Sequence, residues 1–182
     1  ERGPRPPRGP VGPRIKRVLV RIVLVAVVLD LLAVVYFVGL NAFDPPATAF
    51  MLEQGWFIDD PVDIEDMSPQ LLEATLAHED AKLPTRFTAL DWTEFVARAQ
   101  AHLAGHDDPA GSSIPEQLAK NLLLFPAQIS ARKAVDAVLA EELLHATSKK
   151  RVLELYLNVA QFGPHLYGVC DASWYYFGVA PN

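Results

Sequence analysis

The pattern of apolar and polar positions divides the chain near residue 41. Residues 22–40 form a nineteen-residue run of mainly Val, Leu, Ile and Ala, in which Asp30 is the only charged residue. At about 1.5 Å per residue in a helix, this run can cross a bilayer core of roughly 30 Å. A cleaved signal peptide fits less well, because the run is long and no small-residue cleavage site follows it. The pattern therefore predicts a transmembrane helix.

After residue 41, apolar residues recur every three or four positions, as in amphipathic helices. Each such segment is preceded by a residue that favours a helix N-cap. The predicted starts are Ser68 followed by Pro69, Asp91, Ser113, Ser130 or Ala131, and Ser148, with a last helix over 171–177. No stretch alternates as a half-buried strand does, so the fold class is predicted to be mainly α.

Charge is distributed unevenly along the chain, although the net value is only -6. Residues 2–21 contain seven basic side chains and no acidic one, whereas residues 41–70 contain seven acidic side chains and no Lys or Arg. Basic residues are retained on the cytoplasmic side of a membrane helix. The bias therefore predicts a cytoplasmic N-terminus and an extracytoplasmic remainder, and it is better explained by topology than by nucleic-acid binding.

These observations predict four regions. Residues 1–17 are a disordered basic cytoplasmic tail, because they are rich in Pro, Gly and Arg. Residues 18–42 contain the transmembrane helix, residues 43–67 are an extracytoplasmic linker, and residues 68–182 are the helical domain. The single cysteine, Cys170, has no partner for a disulfide and no metal-binding spacing, so the residues indicate no metal site and no cofactor.

Asp30 has two interpretations. A carboxylate within a membrane is costly unless it is protonated or paired. Asp30 is therefore either a tolerated, protonated residue or the site of a helix–helix contact with another membrane protein.

Residues 111–121 combine a small-residue turn with a well-marked helix start. Ser113 and Glu116 have the spacing of a capping box, and the N-terminus of a helix after small residues can bind an anion. The polar residues on one face of the helix are Gln117, Lys120 and Asn121. Taken alone, the segment is better explained as an ordinary capped amphipathic helix.

Together with other segments, however, this stretch resembles the motifs of the peptidoglycan glycosyltransferases, in particular their monofunctional branch. The matching segments are 44–52, 77–80, 111–121, 132–133, 149–158 with 162–163, and 167–169 with 176–178. The resemblance implies a lysozyme-like helical domain behind a single anchor in the bacterial cytoplasmic (inner) membrane. It also implies polymerisation of lipid II into glycan strands with release of undecaprenyl pyrophosphate.

The resemblance also implies roles for particular residues. Glu79 is the candidate base and Asp136 the second catalytic acid. The candidate substrate-binding residues are Asp80, Ser112, Ser113, Gln117, Lys120, Asn121, Arg132, Lys133 and Lys149. The cations among them suit a departing pyrophosphate. Because Glu79 ends a helix among apolar neighbours, we expect its pKa to be raised towards neutrality.

The implied partners are lipid II, the growing strand, membrane lipid and other membrane proteins of cell-wall synthesis or division. Divalent-cation dependence is common in the family, although the residues of this chain contain no independent ligand cluster. Family domains also continue for several helical segments beyond the position of Asn182, so the chain is expected to be a fragment or a shortened domain.

Two departures from the family pattern keep alternatives open. The His and Gly expected after Glu79 and Asp80 are absent, and Asp136 stands where the family has Glu. A carboxylate withdrawn by about 1.5 Å is expected to reduce the rate roughly a hundredfold. A binding-only relative that holds lipid II or scaffolds synthases is therefore an alternative to the enzyme. A hydrolytic muramidase is a third interpretation, which the basic residues and the membrane helix fit less well.

Overall fold

The computed structural model describes residues 13–58, 60–105, 112–124 and 132–182. In chain order the elements are α1 (Pro13–Gly39), α2 (Ala49–Gln54), a 3₁₀ turn (Ile64–Asp66), α3 (Pro69–Glu79), α4 (Trp92–Leu103), α5 (Ile114–Leu123), α6 (Arg132–Ala146), α7 (Lys149–Val159), β1 (Gln161–Gly163), β2 (Leu166–Tyr167) and α8 (Val169–Phe177). Helices account for most of the described residues, which confirms the predicted fold class.

The helix starts follow the local signals. At the start of α5, Ser113 accepts a hydrogen bond from the Glu116 N–H, and the Glu116 carboxylate accepts one from the Ser113 N–H. This confirms the predicted capping box. Ser148 caps α7 in the same way through the Arg151 N–H. Ser68 occupies the N-cap of α3 without a side-chain capping bond. The predicted start at residues 130–131 lies outside the described residues.

The prediction that the chain contains no strand was wrong. β1 and β2 form a short antiparallel pair, with Gln161 opposite Tyr167 and Gly163 opposite Leu166. Strands of two or three residues are too short to show an alternating pattern, so the sequence carried no strand signal. The pair is positioned by a close approach at Gly168, where an added Cβ would lie 2.9 Å from the Asn158 carbonyl oxygen.

Helix α2 was also not predicted, because two prolines precede it in the expected linker. Thr48 accepts a hydrogen bond from the Met51 N–H at 3.1 Å and caps the helix. Met51 is fully buried, and only 6% of the surface of Ile64 is exposed. Residues of this region therefore contribute apolar side chains to the folded domain.

The centre of the domain is formed by α5, α6 and α7, which pack against one another. Every residue of α7 from Val152 to Val159 is buried. On α5, the buried side chains include Ile114, Leu118 and Leu122, spaced four apart. This spacing puts them on one helix face and leaves the opposite face for polar residues.

Helix α1 contains a stretch, Ile15–Gly39, that is long and apolar enough to cross a membrane by length and composition. This fits the predicted transmembrane helix. Its C-terminal end also packs against the domain, where Phe37 and Leu40 are fully buried. The Asn41 amide donates to the Ala146 carbonyl at 2.9 Å. The apolar helix and the domain therefore share one hydrophobic core.

Asp30 contacts α6 rather than standing alone. It precedes Ala33 and Phe37, both buried, by three and seven positions and so lies on the same face of α1. The pKa of Glu142 on α6 is raised to about 7. Burial is the largest cause, and the hydrogen bond with Asp30 and the charge of Asp30 are smaller causes. This contact within the chain is an arrangement that neither interpretation of Asp30 included.

Candidate functional site

A cleft of about 600 Å³ lies where the end of α3, the loop of residues 80–91 and the first turns of α5 meet. Its lining residues are His78, Glu79, Asp80, Ala81, Lys82, Arg86, Asp91, Ser112, Ser113, Glu116, Gln117 and Lys120. Six of these were predicted as site residues: Glu79, Asp80, Ser112, Ser113, Gln117 and Lys120. The fold thus brings together residues that are up to 41 positions apart in the sequence.

Glu79, the last residue of α3, has polar contacts on both carboxylate oxygens. The Gln117 amide donates to Oε2 at 3.0 Å, and His78 Nδ1 lies 3.0 Å from Oε1. The Gln117 hydrogen bond is the main reason that the pKa of Glu79 lies below its ordinary value. The predicted upward shift was therefore wrong. The carboxylate is about one-third exposed and meets hydrogen-bond donors, not only apolar neighbours.

The Gln117 side chain is oriented by two further contacts. Tyr156 Oη donates to Gln117 Oε1 at 3.3 Å, and Gln117 Nε2 donates to the Ser112 carbonyl at 3.0 Å. Burial, with a smaller effect of the Glu79 charge, raises the pKa of Tyr156 to about 12, so its hydroxyl keeps its proton. The amide oxygen of Gln117 therefore faces Tyr156, and its NH₂ group faces Glu79.

Asp80 has surroundings unlike those of its neighbour Glu79. Its side chain is buried and forms an ion pair with Arg86. The same oxygen, Oδ2, accepts the N–H of Ile114 at 3.0 Å, at the first residue of α5. A carboxylate is favourable at a helix N-terminus because the free N–H groups there carry partial positive charge. Within the acidic pair, Glu79 is thus the more accessible carboxylate and Asp80 is bound to the protein.

The loop of residues 80–91 is tethered to the central helices. The carboxylate of Glu141 on α6 accepts the N–H groups of Ala89 at 2.9 Å and Leu90 at 3.3 Å. Ser113 Oγ donates to the Ala89 carbonyl at 2.9 Å. The end of this loop is therefore held through its backbone by Glu141 and Ser113.

Lys149, at the start of α7, binds the same loop from outside the cleft. Its ammonium group donates to the Pro84 carbonyl at 3.0 Å and lies 5.5 Å from the centroid of the Phe87 ring. It is not among the residues that line the cleft. This geometry gives Lys149 a contact with the loop that follows the acidic pair.

Two lysines line the cleft in different states. Lys82 pairs with Asp91 at 2.5 Å. Lys120 forms no ion pair with any of the described side chains and is partly buried on α5. Lys120 is therefore available to an anionic group that enters the cleft.

The structure does not place the remaining predicted residues among those that line the cleft. Asn121 and Asp136 are partly buried and do not line the cleft. Arg132 and Lys133 begin α6, but their side chains lie outside the described part of the structure. Gly111 lies outside it entirely.

Several residues that line the cleft were not predicted from the sequence, and Arg86 has the clearest role among them. Arg86 could have been suspected, because Lys82 and Arg86 are the only cations between Asp80 and Asp91. Tyr156 does not line the cleft and supports it through Gln117, which is 39 residues away in the sequence. Over residues 13–58, 60–105, 112–124 and 132–182, no three His, Cys, Asp or Glu side chains form a group that could hold a metal ion.

The chain is similar to known proteins of one family. A model of the transglycosylase family matches residues 50–182. The chain is 38% identical over 134 residues to the biosynthetic peptidoglycan transglycosylase of Shewanella frigidimarina, covering 73% of this chain and 59% of that protein. The corresponding protein of Alcanivorax borkumensis is 36% identical over 173 residues, covering 91% of this chain and 70% of that protein.

A further relative, from Shewanella denitrificans, is 39% identical over 131 residues, which cover 71% of this chain and 57% of that protein. It too is named a biosynthetic peptidoglycan transglycosylase. The chain thus spans less than two thirds of the length of the two Shewanella relatives.

Proposed function

Because this chain belongs to the transglycosylase family, we propose that it is a membrane-anchored peptidoglycan glycosyltransferase that polymerises lipid II. A sugar hydroxyl of lipid II attacks the anomeric carbon of the growing strand. The bond from that carbon to the pyrophosphate oxygen breaks, and undecaprenyl pyrophosphate leaves. Family membership also confirms the expected lysozyme-like helical fold class.

The observation that carries the proposal is that Glu79 and Lys120 line the same cleft. Glu79 is the proposed base for the attacking hydroxyl. Its lowered pKa keeps it ionised at neutral pH, which a base requires, although it weakens the attraction for the proton. Lys120 is the proposed cation for charge that develops on the pyrophosphate. Such stabilisation is usually the largest electrostatic contribution to this kind of reaction.

The family resemblance extends the proposed pyrophosphate site to Arg132 and Lys133, which begin α6. Arg suits this role through its planar fork of donors, and Lys through its concentrated charge. Ser112 and Ser113 are proposed to bind substrate at the start of α5, where Ser113 also caps the helix. Asp136 is proposed as the second catalytic acid, on the second turn of α6.

The presence of a membrane helix favours a substrate that carries a lipid chain. We infer that α1 crosses the bacterial inner membrane with the N-terminus in the cytoplasm, as the basic residues before it favour. The domain then lies outside the cytoplasm. Because α1 packs against α6, the domain is held close to the membrane, where both lipid-linked substrates are found.

The test is incubation of the purified, detergent-solubilised chain with labelled lipid II, followed by separation of the products by length. Glycan strands are the expected result. Binding of lipid II without strands would favour the binding-only alternative, and shortening of added strands would favour the muramidase. In parallel, Asp136→Glu should raise the rate by about tenfold or more if the position is catalytic, because it restores one methylene of reach. An unchanged rate would mean that Asp136 is structural.

A further inference from the structure

We propose that Arg86 is a positioning residue of the cleft, which holds Glu79 in register with α5 by neutralising Asp80. The side chains of Arg86 and Asp80 are 12% and 4% exposed and form an ion pair. The same Asp80 oxygen accepts the Ile114 N–H at 3.0 Å. The expected effect on turnover depends on the proposed function, whereas the expected effect on the Ile114 contact does not.

Two neighbouring residues at the end of α3 bind the same helix. Asp80 binds the Ile114 N–H, and Glu79 binds the Gln117 side chain at 3.0 Å. Residues 114 and 117 are three positions apart, so they lie within one turn of each other on α5. The Asp80 contact therefore sets the position from which Glu79 reaches the cleft.

Arg86 is what makes a charged Asp80 acceptable at this place. A buried carboxylate that loses its cationic partner is strongly unfavourable, and it either takes up a proton or moves towards water. In both cases its bond to the Ile114 N–H weakens, because the acceptor loses charge or moves away. A displacement of about 1 Å at a catalytic group can lower the rate roughly a hundredfold.

Direct contact of Arg86 with the substrate is the competing explanation. Arg86 lines the cleft, and its buried Nε makes no hydrogen bond within the described part of the chain. The two explanations differ in what happens when Asp80 is neutralised as well. If Arg86 acts through Asp80, a neutral Asn at position 80 no longer needs the cation and still accepts the Ile114 N–H. If Arg86 binds substrate, neutralising Asp80 restores nothing.

The first experiment measures hydrogen exchange of the Ile114 amide in the full chain in detergent. Arg86→Met should accelerate this exchange by about tenfold or more, and the double variant Asp80→Asn/Arg86→Met should return it towards the parent rate. Leu157, on the buried helix α7, serves as the internal reference. Lys150→Met is the matched control, because it removes an ion pair with Glu65 that is exposed on both sides. Unchanged exchange at Ile114 in Arg86→Met would overturn the proposal.

The second experiment measures polymerisation of lipid II by the same variants. Arg86→Met should lower kcat roughly a hundredfold with little change in KM, and the double variant should recover about tenfold of that loss. A double variant no faster than Arg86→Met would overturn positioning in favour of substrate contact. If the parent forms no strands, the proposed function fails, while exchange at Ile114 still decides the role of Arg86. Should Arg86→Met not fold, Arg86→Lys replaces it. Hydrogen exchange of the Ile114 amide should again be faster in this variant than in the parent.

Discussion

Helices α7 and α3 are of equal length, eleven residues each, but differ sharply in how they are held. From Val152 to Val159, every residue of α7 is buried, whereas α3 has no buried residue. Yet α3 carries Glu79, the proposed base, and α7 contributes Tyr156, which contacts both Gln117 and Glu79. The proposed base thus lies on a surface helix, and the buried helix contributes one of its supporting side chains.

This difference shows how the cleft combines access with order. A group on a fully buried helix could not meet a large lipid-linked substrate, and a group on a free surface helix would not be held in place. Glu79 satisfies both needs, because polar contacts from α5 fix the end of α3. Packing therefore determines the stability of the domain, and a few hydrogen bonds determine the geometry of its site.

The largest effect should come from breaking α7. Leu155 is fully buried, and Leu155→Ala should lower the free energy of unfolding by about 2–5 kcal/mol, because it leaves a cavity in the core. Leu72→Ala on α3 removes a half-buried side chain and should cost about 1 kcal/mol. Urea unfolding of the two variants in the same detergent measures the difference. Equal losses would contradict the contrast between the helices.

A smaller effect is expected from loosening the polar support of Glu79. Gln117→Leu removes the main hydrogen bond that lowers the pKa of Glu79, so that pKa should rise. A base acts only when ionised, and activity falls as pH drops through its pKa. The acidic limb of the pH–activity profile should therefore move to higher pH. Loss of the contact that positions the carboxylate should also lower the rate near neutrality by about tenfold, because a displaced catalytic group reacts more slowly. Gln100→Leu, at an exposed position on α4, is the control and should leave the profile unchanged.

The smallest effect concerns the junction of α1 with α6. The pKa of Glu142 is about 7 in the folded chain, against an ordinary value of 4.5. The folded state therefore holds an additional proton between these values, and stability should decrease as pH rises from about 4.5 to about 7. We expect a change on the order of 1 kcal/mol, because the pair is only partly shielded from solvent. Glu142→Gln should flatten the dependence of Tm on pH. If the slope persists in this variant, a group other than Glu142 causes the pH dependence.

Much of the helical framework could be predicted because its signals are local. The Ser113 and Glu116 capping box and the Ser148 cap each depend on residues three positions apart. The apolar run of α1 is a property of composition alone. In contrast, the strands of the β1–β2 pair are too short to show an alternating pattern. Helix α2 has a local cap at Thr48, but the two prolines before it favoured a linker.

The site was predicted less completely, for a related reason. The resemblance indicated Glu79 and Lys120, and the fold brings both into one cleft. It could not indicate that Tyr156 orients Gln117 or that Glu141 holds Ala89, since these partners are 39 and 52 residues apart. The pKa of Glu79 was predicted in the wrong direction because its main determinant is a donor on another helix.

The most direct test of the central claim compares Glu79→Gln with Glu73→Gln in the polymerisation of labelled lipid II. Both substitutions remove one carboxylate from α3, but Glu73 is exposed and does not line the cleft. Loss of the base should lower the rate by about a hundredfold to ten-thousandfold in Glu79→Gln, while Glu73→Gln should match the parent. Glycan strands formed at the parent rate by Glu79→Gln would contradict the account.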